Sequence, residues 1–260
     1  MPYFERLGPS SFRPTEHVGG AWDTSEQHIA PALGLLAHVV DVDRDSRRSD
    51  GLRLTRLSYD IWGTVPIEPV ETSVRLLRPG RTIELAEAAL THGGRRVATL
   101  RAWSMQPRDT SALEGTALPP IPSPDDTPAW EPDDVWPGGF IAAAHVRRRH
   151  CGPGRASFWV RSDEALVDGE PVSPTAHAAR LLDIANGMAV RVDPREVAFP
   201  NVDLTAHLYR EPHGEWLGFD TTVSFGADGL GVTSTVLHDA GGPLGTMAQM
   251  LTVRPLPPSA

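Results

Sequence analysis

The chain repeats itself. Leu54-Thr55, followed by Tyr59, returns 150 positions later as Leu204-Thr205 and Tyr209. Gly93-Gly94, set between two strand-like runs, returns 148 positions later as Gly241-Gly242. A proline opening an apolar helical run at Pro31 has its counterpart at Pro174. Duplication on this scale favours two similar units of roughly 110 residues over one large domain. The copies are chemically unequal. At those offsets Asp203 and Gln249 of the second copy stand where the first has Arg53 and Arg101.

Each copy carries one apolar helical signal followed by strand signals. In the first, Pro31 to about Val40 is apolar nearly all round, the mark of a helix wrapped by something larger. Strands are predicted over Leu52–Tyr59, Ile67–Leu77, Thr82–Thr91 and Arg95–Met105, after an opening loop that runs to Gln27-His28. The second copy predicts strands near Phe140–Arg149 and Ala156–Ser162, then one helix over Ser173–Val190 with Ser173 as its cap. Strands then follow at Val202–Tyr209, Glu215–Phe225, Gly231–His238 and Leu244–Val253. The stretch 106–138 is dense in Pro, Asp and Ser and reads as an extended linker. The expected division is therefore 1–105, a linker over 106–138, and 139–257. A sheet curling round a buried helix covers both elements economically, giving an α+β fold.

Composition removes several classes of function. All 24 basic residues are arginine, which excludes a Schiff-base lysine and the lysine of a phosphate-binding loop. A net charge of −9 offers no global field for nucleic acid. No apolar run reaches the roughly 18–20 residues of a membrane span, and the N-terminus has no basic segment followed by an apolar one, so a cytoplasmic location is expected. The single cysteine, Cys151, cannot form an internal disulfide. His145, His150 and Cys151 have no second ligand pair at suitable spacing, so no metal is expected. No G-x-S-x-G elbow is present, which disfavours a serine hydrolase.

The motifs narrow the choice. Asn201-x-Asp203-Leu204-Thr205-x-His207 leads to Gly214-Glu215-Trp216, and Gly241-Gly242-Pro243 leads to Gln249. Trp22-Asp23 and Gln27-His28 open into the first helix. Together these resemble the acyl-CoA thioesterase II (TesB-like) family, within the thioesterase-like superfamily, over nearly the whole chain apart from the linker. The resemblance implies a double hotdog, two tandem repeats each with an antiparallel sheet wrapped round a long central helix. It also implies hydrolysis of an acyl-CoA or related thioester, without a cofactor, through a water positioned by an Asp, a Ser or Thr, and a Gln of the second half. Carried onto this sequence, those positions are Asp203, Ser224 and Gln249, with Thr222 as the other hydroxyl on the same strand face. A slip of one residue there would present the apolar Val223 instead.

The chemistry is consistent with that assignment. Asp203 would accept a proton from water while the hydroxyl and the carboxamide orient it. Unpaired N–H groups at the start of the first helix, at Ile29 and Ala30, would receive the thioester oxygen, with His28 beside them. The family branch usually carries Gly-Gly where this chain has Ile29-Ala30. One polar set in two copies implies one site per chain, at the junction of the repeats, with the acyl ligand between the central helices. A homodimer or higher homo-oligomer is a family-level expectation. Two alternatives compete: an acyl-CoA binding protein with weak turnover, and a hotdog hydratase or dehydratase, for which the matched positions supply no histidine.

Overall fold

In the computed structural model, which describes residues 1–257, the first repeat opens with strands β1 (Phe4–Arg6) and β2 (Ser11–Pro14). Helix α1 (Ile29–Arg47) follows, then β3 (Arg53–Ile61), β4 (Val70–Arg78), β5 (Ile83–His92) and β6 (Arg95–Met105). The linker contributes one short strand, β7 (Ala129–Trp130), and a short helix α2 (Gly139–Ala142) leads into the second repeat. There β8 (Ala144–His150) and β9 (Arg155–Ser162) precede a helical segment made of α3 (Pro174–Ala179), a 3₁₀ turn (Leu182–Ile184) and α4 (Ala185–Met188). A small strand β10 (Val197–Ala198) comes before β11 (Asp203–Leu208), β12 (Leu217–Phe225), β13 (Leu230–Asp239), β14 (Gly242–Thr252) and β15 (Arg254–Pro255).

Thirteen strands form one continuous sheet in the order β1-β2-β4-β5-β6-β3-β11-β14-β13-β12-β9-β8-β7, antiparallel throughout. The repeats are not two closed units. Their sheets fuse where β3 pairs with β11, Asp60 opposite Asp203 through Arg56 opposite His207. Both helical segments lie against the same concave side.

The repeats superimpose at an offset of 147 across the paired strands, not the 150 or 148 of the sequence motifs. The β5–β6 hairpin closes with His92 opposite Arg95 and the β13–β14 hairpin with Asp239 opposite Gly242, and 239 less 92 is 147. Ser58 and Thr205, also 147 apart, lie opposite one another on the two central strands, and their hydroxyls hydrogen-bond at 2.9 Å. The local two-fold passes between them. An odd offset is required because strand faces alternate. Leu57 and Tyr59 point into the core as Leu204 and Ala206 do, while an offset of 150 would align half-buried Arg56 with buried Ala206. The recurring Leu-Thr and Tyr letters therefore stand three residues out of structural register.

Three local expectations need correction. The opening segment holds two strands, β1 and β2, the counterparts of β8 and β9. Residues Gly139–Ala142 are helical, so the strand expected from Phe140 starts at Ala144. Helix α1 continues to Arg47 because its polar end is tied down. Arg44 pairs with Asp41, and Arg47 bridges Asp43 at 2.9 Å and the buried Glu84 of β5 at 2.5 Å.

The second central helix is broken where the first is continuous. The two cross so closely that a Cβ on Gly34 would stand 2.6 Å from the Cβ of Arg180. Arg180 is fully buried there, its guanidinium donating to the carbonyls of Ser162 and Glu164. Three residues later Asp183 turns the other way. These opposed side-chain commitments bracket the break, and the crossing leaves no channel for an acyl chain between the helices at that point.

Candidate active site

Asp183 lies in the 3₁₀ turn that interrupts the second helical segment and is 6% exposed. Its Oδ1 accepts from Asn201 Nδ2 at 2.6 Å and from Gln249 Nε2 at 2.9 Å. Burial pushes the carboxyl up to about 7, and the two amide donors pull it down by less. A carboxylic acid titrating there is half ionised at neutral pH, the condition for a general base.

The partners come from the sheet. Asn201 precedes β11 and forms an isolated bridge to Leu251, which fixes it beside β14. Gln249 is an inward position of β14, 1% exposed. Its Oε1 is buried and finds no partner within the described chain; the same is true of Thr233 Oγ1, directly opposite on β13. Two orphan oxygens on paired inward positions, next to a titrating carboxyl, form a polar patch that can hold a water.

The first repeat supplies the facing wall. His28 caps α1, its Nδ1 accepting from the Ala30 N–H at 3.2 Å. The ring stacks on Phe140 with centroids 4.2 Å apart, and burial pushes its pKa down to about 3. It is therefore neutral at physiological pH, and the bond at Nδ1 assigns its proton to Nε2. The Ile29 N–H, in the first turn, has no intrahelical partner to reach.

His28, Ile29, Asp183 and Asn201 share one cleft of about 330 Å³, with Trp22, Trp62, Val65, Asn186 and Val202 also in its lining, while Gln249 and Thr233 are buried and reach it through Asp183. Trp22 and Trp62 stand at its mouth, 46% and 60% exposed. A smaller recess shares Trp22, His28, Asp183 and Asn186 with it.

Of the residues expected from the sequence, the structure places His28 and Ile29 in the cleft beside Asp183, ties Gln249 to Asp183, and leaves others apart. Asp203 opens β11 and its Oδ1 accepts from the Met250 N–H at 2.6 Å, so its carboxylate closes the edge of the β11–β14 ladder. Ser224 and Thr222 sit on β12 with side chains on the outward face, whereas Gln249 points inward. The inward residue between them is Val223, the outcome of the one-residue slip. The Ala30 N–H is already taken by His28. What sequence reasoning missed is Asp183. Its signal was an acid and an amide, Asp183 and Asn186, inside the apolar run Leu181–Met188, where an unpaired charge is too costly to be idle.

The asymmetry of the repeats survives the corrected offset. At 147, Gln249 corresponds to Ala102, Asn201 to Leu54 and Thr233 to Ala86, all buried and apolar or nearly so. Among the described residues the polar constellation exists once. Among the described residues, no three His, Cys, Asp or Glu side chains converge to hold a metal ion, and no helix is long and apolar enough to cross a membrane.

Comparison with known families agrees with this architecture. Residues 116–253 match the family described as acyl-CoA thioesterase C-terminal domain. Residues 18–105 match the acyl-CoA thioesterase N-terminal domain. The chain belongs to the acyl-CoA thioesterase family. It is accordingly a thioesterase with a double hotdog fold. Among solved structures it is similar to a conserved protein with a hot dog fold from Alicyclobacillus acidocaldarius, at 15% identity and a TM-score of 0.74, over 97% of this chain and 96% of that one. It is similar also to the acyl-CoA thioesterase II TesB2 from Mycobacterium marinum, at 17% identity and a TM-score of 0.67, again over 97% and 96%. A tesB protein of Mycobacterium avium subspecies paratuberculosis follows at 17% identity and a TM-score of 0.64, over the same shares. No curated protein matches the sequence.

Proposed function

We propose that this thioesterase hydrolyses acyl-CoA with Asp183 as the general base. The observation that carries the proposal is a buried carboxyl raised to about 7, held between two amide donors and facing an open cleft. Asn201 and Gln249 both occupy Oδ1, which leaves Oδ2 for a water. Gln249 Oε1 accepts a hydrogen bond from the same water, whose second proton stays on its oxygen, and fixes its orientation. The ionised Asp183 takes the water's other proton as its oxygen attacks the thioester carbon. The carbonyl oxygen becomes an oxyanion, received by the Ile29 N–H and by His28 Nε2–H. The C–S bond then breaks, the acid leaves, and the proton on Asp183 passes to the CoA thiolate.

The thiol side of the substrate occupies the cleft, because the pantetheine arm ends in a nucleotide too large to enter the protein. Arg95 donates to the Thr64 carbonyl at 2.8 Å, and the guanidinium of Arg96 lies 5.8 Å over the ring of Trp62. Both therefore flank the mouth with positive charge suited to the nucleotide phosphates, which favours CoA as carrier. Asp203 and Ser224 have no part in this scheme. The test is CoA release, followed with a thiol reagent, by wild type and Asp183→Asn; loss of the proton acceptor should lower kcat roughly 10²–10⁴-fold. An acyl-CoA binding protein would bind saturably and release no CoA.

A further inference from the structure

Asp183 borders two spaces of very different size. The cleft of about 330 Å³ is open to solvent. The recess that adjoins it, sharing Trp22, His28, Asp183 and Asn186, holds about 20 Å³. We propose that the acyl group enters the recess, that substrates are short acyl-CoAs, and that Trp136 of the linker sets the limit. This rests on the reading of Asp183 as a hydrolytic site.

The pantetheine arm must leave through the open cleft, so the acyl group has to lie on the other side of the thioester carbonyl. There the walls are Trp136, Ile141, Ile184, Met188 and Phe199, each at most 4% exposed. One water-sized group needs roughly 10–15 Å³ on the same measure, so the recess takes one or two groups beyond the carbonyl, an acyl group of about two or three carbons. The wall is braced. Trp136 Nε1 donates to the Gly187 carbonyl at 2.9 Å, and a Cβ at position 187 would come within 3.3 Å of that nitrogen. Trp22 meets Trp136 edge-on at 4.8 Å and Phe199 at 5.2 Å, so the three rings lock one another. The route past the helices is shut where Gly34 meets Arg180. A longer chain has to displace an aromatic cluster.

The experiment measures kcat/KM for acetyl-, propanoyl-, butanoyl-, hexanoyl-, octanoyl- and dodecanoyl-CoA. The expected maximum lies at two or three carbons, with at least a ten-fold fall by octanoyl. Trp136→Ala should raise the octanoyl-to-butanoyl ratio at least ten-fold; Met188→Ala, a smaller excision from the same wall, should move it in the same direction if the tryptophan variant does not fold. A wild type that prefers octanoyl or dodecanoyl overturns the inference, as does a ratio unmoved in both variants. Release of no CoA at any chain length overturns the hydrolytic reading and this inference with it, and is told apart by its independence of chain length.

Discussion

Gln249 donates to Asp183 through Nε2 at 2.9 Å while its own Oε1 stays buried and unpartnered among the described residues. One side chain thus steadies the base and offers an acceptor to the water the base must deprotonate. Its equivalent across the local two-fold, Ala102, can do neither.

The two amide donors favour the ionised form of Asp183, so removing either should raise the carboxyl further. For Gln249→Ala and Asn201→Ala, the acid limb of the kcat/KM profile should move above its wild-type midpoint of about 7. Maximal kcat should fall more in Gln249→Ala, which also loses the acceptor for water. Midpoints unchanged in both variants would mean that the amides do not act on the base.

The same carboxyl should make stability depend on pH. Its folded value, about 7, lies above the ordinary 3.8, so the native state holds the proton longer than the unfolded chain. That stabilisation is complete below pH 4 and is lost as pH rises through 7, on the order of 4 kcal/mol in total. Asp183→Asn should abolish this slope and be more stable than wild type at pH 8, read from urea melts at pH 4 and pH 8. Parallel wild-type and variant curves would contradict the burial argument.

Gly34→Ala would place a methyl 2.6 Å from Arg180 Cβ and 2.8 Å from its Cα. Backbone cannot swing aside as a side-chain tip can, so the variant should lose about 1–3 kcal/mol by denaturant unfolding. A neutral result would show that the helices can part.

Arg96→Ala should raise KM for acyl-CoA several-fold, less so at high salt, with kcat nearly unchanged. A pantetheine thioester lacking the nucleotide should be hydrolysed equally by variant and wild type. A KM insensitive to the substitution would remove Arg96 from the mouth's role.

The architecture was legible in the sequence because two signals are local. An all-round apolar helix at Ala32–Val40 can only be wrapped, and the strand–turn–strand runs at Gly93 and Gly241 can only be hairpins. The register was not legible. The recurring Leu-Thr and Tyr letters lie three residues away from the structural equivalence that the strand pairing fixes, and reading the offset from them misassigned the partner of every site position. Strand parity decides which side chains enter the core, so Ser224 and Thr222 fell on the outward face while Gln249, on a neighbouring strand, pointed in. Asp183 lay hidden for a different reason. A helix broken by the side-chain commitments of Arg180 and Asp183 to opposite neighbours has no proline to announce the break, and only contacts distant in sequence reveal it.

The central claim, that Asp183 and not Asp203 is the base, is tested most directly by the pH dependence of kcat for CoA release from butanoyl-CoA in wild type, Asp183→Asn and Asp203→Asn. The wild-type acid limb should have a midpoint near 7. Asp183→Asn should lose roughly 10²–10⁴-fold in kcat, with that limb abolished, and folded Asp203→Asn should keep the limb unchanged with near-normal kcat. Near-normal turnover in a folded Asp183→Asn enzyme, or a collapse of kcat confined to Asp203→Asn, would contradict that claim.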